Sequence, residues 1–275
     1  MLRKTVLART GELELRDVRC QSHRSSWSPP EETAAFAVVF VRRGCFRRRV
    51  RGIESVVDSA VAYFARPGEE QQIAHPCEGG DACTAIGLTD DLLATMWGGE
   101  PGLPDRPAFT TARLDLEHRL LVAAAARGAD ETEVTERVVS LVSRVLEQAQ
   151  PERVAAGRHA TAAARRSLVE AAREALAADP SIGLMELARQ VAASPHHLSR
   201  LFHAHTGETV SRYRNRLRVR LALERLAEGE CSLARLAADL GFADQGHLTR
   251  VTRVELGSPP SHLRAGITLG GPCTS

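Results

Sequence analysis

Aromatic residues, catalytic signatures and long apolar runs are scarce in this 275-residue chain, and each scarcity excludes something. Phe, Trp and Tyr make up 4% of the residues, so Leu, Val and Ala must build any packed core. No stretch approaches the roughly 18 consecutive apolar residues that a transmembrane helix needs. The first residues, MLRKTVLARTGELELRD, lack the apolar stretch and small-residue cleavage site of a secretory signal. We therefore expect a cytoplasmic protein with no membrane partner.

Signatures of catalysis are missing as well. The chain contains no Gly-rich phosphate-binding loop, no G-x-S-x-G nucleophile elbow and no H-E-x-x-H zinc motif. Asp90 and Asp91 form a carboxylate pair, but two acids at the predicted start of a helix are explained by the helix dipole. We therefore predict that the protein is not an enzyme and needs no cofactor.

Cysteine and histidine supply the ligands for soft metal ions. In a cytoplasmic protein the six cysteines should be reduced thiols. His75, Cys77 and Cys83 form an H-x-C-x5-C pattern, which matches no established zinc spacing. Further residues that could join them are Cys20, His23 and Cys45. We predict no metal site and keep one alternative, a metal- or thiol-responsive sensor that uses His75, Cys77 and Cys83.

The first hundred residues have the pattern of short strands. Apolar or alternating runs lie at 13–18, 35–41, 50–65, 72–74 and 83–88, with Gly- and Pro-containing turns between several of them. Several short strands at this spacing predict a small β-barrel.

Two helices are predicted after the barrel, at 112–126 and 131–148. Apolar residues of the second helix recur at three- and four-residue steps. This stripe includes Val134, Val138, Leu141 and Val145. Such a stripe packs either on the barrel of its own chain or on a second copy of the chain.

A helix-turn-helix pattern lies at 184–205. This arrangement needs a support helix, a tight turn and a second helix that presents polar residues outward. Ser194 has the side chain of an N-cap, Pro195 suits the first turn of the second helix, and Gly207 ends that helix. Phe202 should pack inward. The residues predicted on the outward face are His196, Ser199, Arg200 and His203.

The same plan recurs further along the chain. Ser232 caps a second support helix, Phe242 fills the core beside the turn, and another recognition helix starts at Asp244. The residues predicted on its outward face are Gln245, Gly246, Thr249 and Arg250. A helix over 209–227 joins the two units. At about 1.5 Å per residue its length is about 30 Å, close to one turn of DNA at about 34 Å.

Residues about 165–265 resemble the DNA-binding domain of the AraC/XylS family of transcriptional regulators. Two stretches carry the resemblance, LARQVAASPHHLSRLFHAHTG and LARLAADLGFADQGHLTRVTRVELGSPPSHLR. The second includes the family's GF-x-D-Q-x-x-L/F-T-R core and its closing G-x-x-P-x-x-x-R. The chain departs from the family pattern at Leu248 and Thr252, where the family often has Phe, and Gly246 offers no side chain for base readout.

The resemblance implies sequence-specific binding of double-stranded DNA through the outward residues of both recognition helices. It also implies a cupin-like N-terminal sensor for a small-molecule effector, and RNA polymerase as a partner if the protein is an activator. In such regulators the helices after the barrel form a homodimer, so the stripe from Val134 to Val145 is the predicted dimer interface.

The expected fold class is α+β, a small cupin-like β-barrel with following helices and an all-α double helix-turn-helix domain. The expected domains are a sensor at 1–150, with the barrel at about 1–100, a linker at 151–164 and the DNA-binding domain at 165–267.

Overall fold

The computed structural model of the chain describes residues 2–21, 25–77, 79–97, 102–149 and 159–269. Strands occupy the first part of these residues and helices the second, so the predicted α+β class is confirmed. The strands are β1 (Leu2–Arg9), β2 (Leu13–Cys20), β3 (Glu31–Glu32), β4 (Phe36–Arg43), β5 (Cys45–Val50), β6 (Ile53–Asp58), β7 (Val61–Ala65), β8 (Glu70–Ala74), β9 (Asp81–Leu88) and β10 (Ala108–Phe109).

The strands form two antiparallel sheets. One has the order β1-β2-β9-β4-β7-β10 and the other the order β3-β8-β5-β6. Apolar side chains from both sheets meet in a shared core, as in the packing of two sheets face to face. This core includes Val39, Phe46, Val57, Tyr63 and Cys83, each from a different strand. The predicted small barrel is thus built from two sheets around one apolar interior.

Besides the two-residue strands β3 and β10, two longer strands were not predicted from the sequence. β1 lies at the edge of its sheet and most of its side chains are exposed, so no apolar alternation marks it. β5 contains three consecutive arginines, which hide its period of two. Arg48 is nevertheless buried, because its guanidinium pairs with Glu69 and lies 4.7 Å from the centre of the Tyr63 ring.

The helices follow the predicted order. They are α1 (Asp90–Trp97), α2 (Ala112–Ala126), α3 (Glu131–Gln148), α4 (His159–Ala178), α5 (Leu184–Gln190), α6 (Pro195–Thr206), α7 (Val210–Ala227), α8 (Leu233–Asp239), α9 (Gln245–Leu256) and α10 (Pro260–Ile267). α4 begins inside the predicted linker 151–164, and residues 151–158 lie outside the described part of the chain. No helix among the described residues is both long and apolar enough to cross a membrane.

The apolar stripe of α3 packs on the chain's own sheet. Its side chains are almost completely inaccessible, and they share a core with residues of β2, β4, β9 and α2. The buried stripe residues are Val134, Val138, Leu141 and Val145. They are therefore not free to contact a second copy, and the predicted dimer interface does not hold for these four residues. Packing on the chain's own barrel and packing on a second copy predict the same spacing of apolar residues, so the sequence could not distinguish them.

A disulfide joins Cys45 to Cys77. Cys45 opens β5 and Cys77 follows β8, which is paired with β5, so the two Cα atoms lie 6.3 Å apart, within the usual range for a disulfide. The expectation that all six cysteines are reduced thiols is therefore wrong for this pair. Cys20 and Cys83 are buried free thiols.

Candidate nucleic-acid interface

The first helix-turn-helix unit consists of α5 and α6. The Ser194 hydroxyl accepts a hydrogen bond from the His197 backbone N–H at 3.2 Å, and Pro195 occupies the first turn, so α6 starts where the sequence predicted. Gly207 ends it with a positive φ of 73°. Leu198 is fully buried, which fixes the rotation of α6 about its axis.

The outward face of α6 carries the predicted polar residues. His196, Arg200 and His203 are exposed and Ser199 is half-buried. Within the described residues, no carboxylate lies within ion-pair distance of the Arg200 guanidinium. A cation that no acidic group of its own chain neutralises is available to an anionic partner such as a phosphate or to the acceptor edge of a base.

The second unit, α8 and α9, has the same construction. The Asp244 carboxylate accepts a hydrogen bond from the His247 backbone N–H at 2.6 Å, and Gly257 ends α9 with a φ of 77°. Leu248 is fully buried, and Phe242 plugs the core beside the turn. The caps and core positions of the two units therefore agree.

The outward face of α9 carries the second set of predicted residues. Gln245, Gly246 and Arg250 are exposed, and Thr249 is half-buried. A Cβ atom at position 246 would lie 3.3 Å from Arg250 Nη1, so the glycine lets this guanidinium lie across the first turn of α9. In the described part of the chain, Arg250 also has no carboxylate within ion-pair distance.

Thr252 occupies an inward position of α9 and is almost completely buried. Its hydroxyl donates a hydrogen bond of 2.8 Å to the backbone carbonyl of Leu248, one turn earlier. A buried hydroxyl is tolerated when it has such a partner. The threonine that replaces the family's usual aromatic residue therefore leaves no unsatisfied polar group in this core.

The connecting helix α7 has 18 residues and packs against both α6 and α9. Several of its arginines turn inward. Arg216 and Arg220 donate to the Thr110 carbonyl, and Arg218 donates to the Pro180 carbonyl. These three side chains are buried and serve the packing of α7, not an external phosphate. Arginines at alternate positions of a helix point in different directions, so the sequence alone does not show which of them are buried.

A buried cluster that the sequence did not reveal ties α4 and α7 to the barrel. Asp58, at the end of β6, is completely buried. Its carboxylate accepts hydrogen bonds from Arg173 Nη2 at 3.0 Å and from the Tyr213 hydroxyl at 2.6 Å. Burial opposes the charge on Arg173, but Asp58, Tyr213 and Glu170 together outweigh it and raise the pKa of this guanidinium well above its usual value.

A second buried cluster ties α7 to α2 and β4. Arg119 of α2 pairs with Glu224 of α7, and Arg42 of β4 lies beside the same carboxylate. Burial opposes ionisation of Glu224, but Arg119 and Arg42 outweigh it and lower the pKa of this carboxyl. The helix that spaces the two helix-turn-helix units is thus held against the barrel and against the helix that follows the barrel.

The predicted sensor residues are not brought together. Cys77 is bonded to Cys45, and the Cys83 thiol donates to Asp81 Oδ1 at 3.5 Å. His75 lies beside Cys20 and Asp81. His23 lies outside the described residues.

Comparisons with known proteins agree with this geometry. A family model described as "Helix-turn-helix domain" matches residues 187–266. HTH-type transcriptional activator RhaS of Escherichia fergusonii is 38% identical over 80 residues, which are 29% of this chain and 29% of RhaS. Arabinose operon regulatory protein of Escherichia coli is 33% identical over 89 residues, 32% of this chain and 30% of that protein. The chain thus covers less than a third of the length of either relative.

A solved structure resembles the whole chain more loosely. Wild-type ToxT of Vibrio cholerae, bound to an unsaturated fatty acid, covers 94% of this chain and 97% of its own, with 8% identity and a TM-score of 0.39. The assignment of the domain therefore depends on the two helix-turn-helix units and on the sequence match over residues 187–266. Residues 187–266 match a helix-turn-helix domain, and the sequence of this region is similar to RhaS and to arabinose operon regulatory protein.

Proposed function

We propose that the protein is a sequence-specific DNA-binding transcriptional regulator. The observation that carries the proposal is the pair of capped units on one connecting helix. Each unit exposes an arginine that no carboxylate among the described residues neutralises, Arg200 on α6 and Arg250 on α9. Two cationic recognition helices on one polypeptide suit two successive major grooves on one face of a duplex. α7 supports this spacing, because 18 residues at about 1.5 Å each span about 27 Å.

The side chains on the two faces have different capacities for reading DNA. Arg200 and Arg250 can each donate two hydrogen bonds to the O6 and N7 atoms of a guanine. Gln245 can bind adenine in the same bidentate way, and Ser199 can either donate to or accept from a base. Gly246 contributes no side chain, so α6 should discriminate between bases more strongly than α9.

The regulatory parts of the proposal concern the N-terminal domain. We propose a small-molecule effector, a homodimer and a cytoplasmic location, with RNA polymerase as a further partner if the protein activates transcription. The buried clusters around Asp58 and Glu224 support coupling between the barrel and α7. An effector alters DNA binding only to the extent that it prefers one arrangement of these contacts over another.

Alanine variants of the two arginines test the DNA-binding role. Arg200→Ala and Arg250→Ala should each weaken binding to a selected DNA site by about 1–3 kcal/mol and relax base preference at the contacted position. Arg137→Ala, which removes an exposed arginine of α3, is the matched control and should bind like wild type. Electrophoretic mobility shifts over a series of point-mutated sites measure both affinity and preference.

One result would contradict the assignment. If both recognition-helix variants bind every site as the wild type does, the outward faces of α6 and α9 are not the interface. If the Arg137→Ala control loses affinity equally, the arginines act through net charge alone.

A further inference from the structure

Three potential metal ligands meet at one end of the barrel, where β2 ends and β9 begins. Cys20 and Asp81 are opposite each other in the antiparallel register of these strands, and His75 directly follows β8. Side chains of directly opposite residues lie on the same face of a sheet. The chain is tightly packed here, since a Cβ atom on Gly80 would lie 2.2 Å from the Cys20 carbonyl oxygen.

The donor atoms of the three side chains are close enough to share one ion. Cys20 Sγ lies 3.6 Å from His75 Nε2, and Asp81 Oδ2 lies 3.1 Å from the other ring nitrogen, Nδ1, so only one of these two separations can join ligands of the same ion. One donor atom can be chosen from each residue so that all three lie within 4.8 Å of one another. Cys20 and Asp81 are buried, and the imidazole is partly accessible.

The Asp81 carboxylate lacks the arginine partner that other buried acids of the described chain have. Asp58 is paired with Arg173, and Glu224 with Arg119. In the described part of the chain, no Lys or Arg nitrogen lies within ion-pair distance of Asp81, and its Oδ2 atom faces the imidazole of His75, with Nδ1 3.1 Å away. A buried carboxylate is costly unless it is paired or coordinates a metal.

We propose that Cys20, His75 and Asp81 bind one divalent transition-metal ion, with zinc as the best match. Zinc accepts sulfur, nitrogen and oxygen ligands together, and its two charges would balance a thiolate and a carboxylate. Zinc–sulfur and zinc–nitrogen bonds of about 2.3 and 2.0 Å at a tetrahedral angle place the two donors about 3.5 Å apart. The separation of 3.6 Å between Cys20 Sγ and His75 Nε2 agrees with that value.

Three protein ligands would leave the fourth position open, and the partly accessible His75 side gives solvent a way to reach it. Cys83 is not one of the proposed ligands. Its thiol hydrogen-bonds to Asp81 Oδ1 and would orient the carboxylate without binding the ion. The proposed set shares only His75 with the pattern of His75, Cys77 and Cys83 in the sequence.

Equilibrium dialysis of the full chain against zinc, with no histidine tag, tests the proposal. Metal content is measured by mass spectrometry. The wild type should retain one zinc ion per chain. Cys20→Ser, His75→Gln and Asp81→Asn should each weaken binding by more than about tenfold, because even outer-shell partners have effects of that size. His262→Gln, at an exposed position outside the cluster, is the matched control and should bind zinc like wild type.

Wild-type protein titrated with cobalt(II) provides a readout that does not depend on the folding of any variant. It should show the charge-transfer absorption of a thiolate bound to cobalt, and the band should persist in Cys83→Ser. Absence of stoichiometric zinc together with absence of this band would overturn the proposal and leave His75 and Asp81 as an imidazolium–carboxylate pair. Zinc binding that survives Cys20→Ser and is lost in Cys83→Ser would overturn the ligand set.

Discussion

His118 should make the protein's stability depend on pH in a window where few other groups contribute. The side chain is completely buried on α2 and stacks on Phe40, with ring centres 4.4 Å apart. Burial lowers the pKa of His118 from 6.5 to about 4, and the nearby Arg119 and Arg42 act in the same direction, against Asp115.

Whether acid raises or lowers the free energy of unfolding depends on which state, folded or unfolded, takes up the proton. As pH falls below about 6.5, the unfolded chain protonates this histidine while the folded chain keeps it neutral, so the free energy of unfolding decreases. Stability is unaffected well above that pH and is lost progressively down to about pH 4, where the loss reaches about 3 kcal/mol. Between about pH 7 and pH 5 the loss due to His118 is about 2 kcal/mol.

Replacement by an aromatic residue that cannot titrate isolates this effect. His118→Phe keeps a ring against Phe40, and the free energy of unfolding is measured by urea denaturation at about pH 7 and about pH 5. On acidification the variant should lose about 2 kcal/mol less than the wild type does. His262→Phe, at an exposed position, is the matched control and should lose as much as wild type. Equal losses in wild type and His118→Phe would refute the reasoning.

Three further outcomes are expected. Asp58→Ala removes the buried carboxylate that Arg173 and Tyr213 share and leaves Arg173 with Glu170 alone, so urea denaturation should show a loss of about 3–5 kcal/mol, and a loss below about 1 kcal/mol would mean that water replaces the carboxylate. Thr252→Val removes a satisfied hydroxyl and should change stability by less than about 1 kcal/mol, whereas Thr252→Phe should overpack the core and cost about 1–3 kcal/mol by the same assay. The affinity for a selected DNA site should fall linearly on logarithmic axes as salt rises, by about 0.9 per neutralised phosphate, and a flat response in a filter-binding titration would argue against phosphate contacts.

The helix-turn-helix units could be predicted from the sequence because their determinants are local. Ser194 and Asp244 cap the helices that follow them, and Gly207 and Gly257 end those helices. Caps, end glycines and the helical period act within a few residues, so the order of the chain alone reveals them. The same holds for α2 and α3, whose observed bounds match the predicted ones.

The features that the sequence concealed depend on contacts between distant segments. The α3 stripe predicts an apolar face, but only the fold shows that it covers the chain's own sheet. Asp58 and Tyr213 lie 155 positions apart, so no local pattern connects them. The cluster of Cys20, His75 and Asp81 arises from strand register, which sequence spacing does not display. Reduced cysteines were expected from the predicted compartment, whereas the Cys45–Cys77 pair arises from the adjacency of β5 and β8.

Selection of genomic fragments by the purified full chain, followed by sequencing of the retained DNA, tests the central claim most directly. Two α-helices that read successive major grooves should enrich a motif with two short elements about 10 base pairs apart, and the element contacted by α9 should be the less strictly specified. Retention of fragments without such a motif would contradict sequence-specific readout by both units. Absence of salt-sensitive retention of any fragment would contradict the proposal that this chain is a DNA-binding regulator.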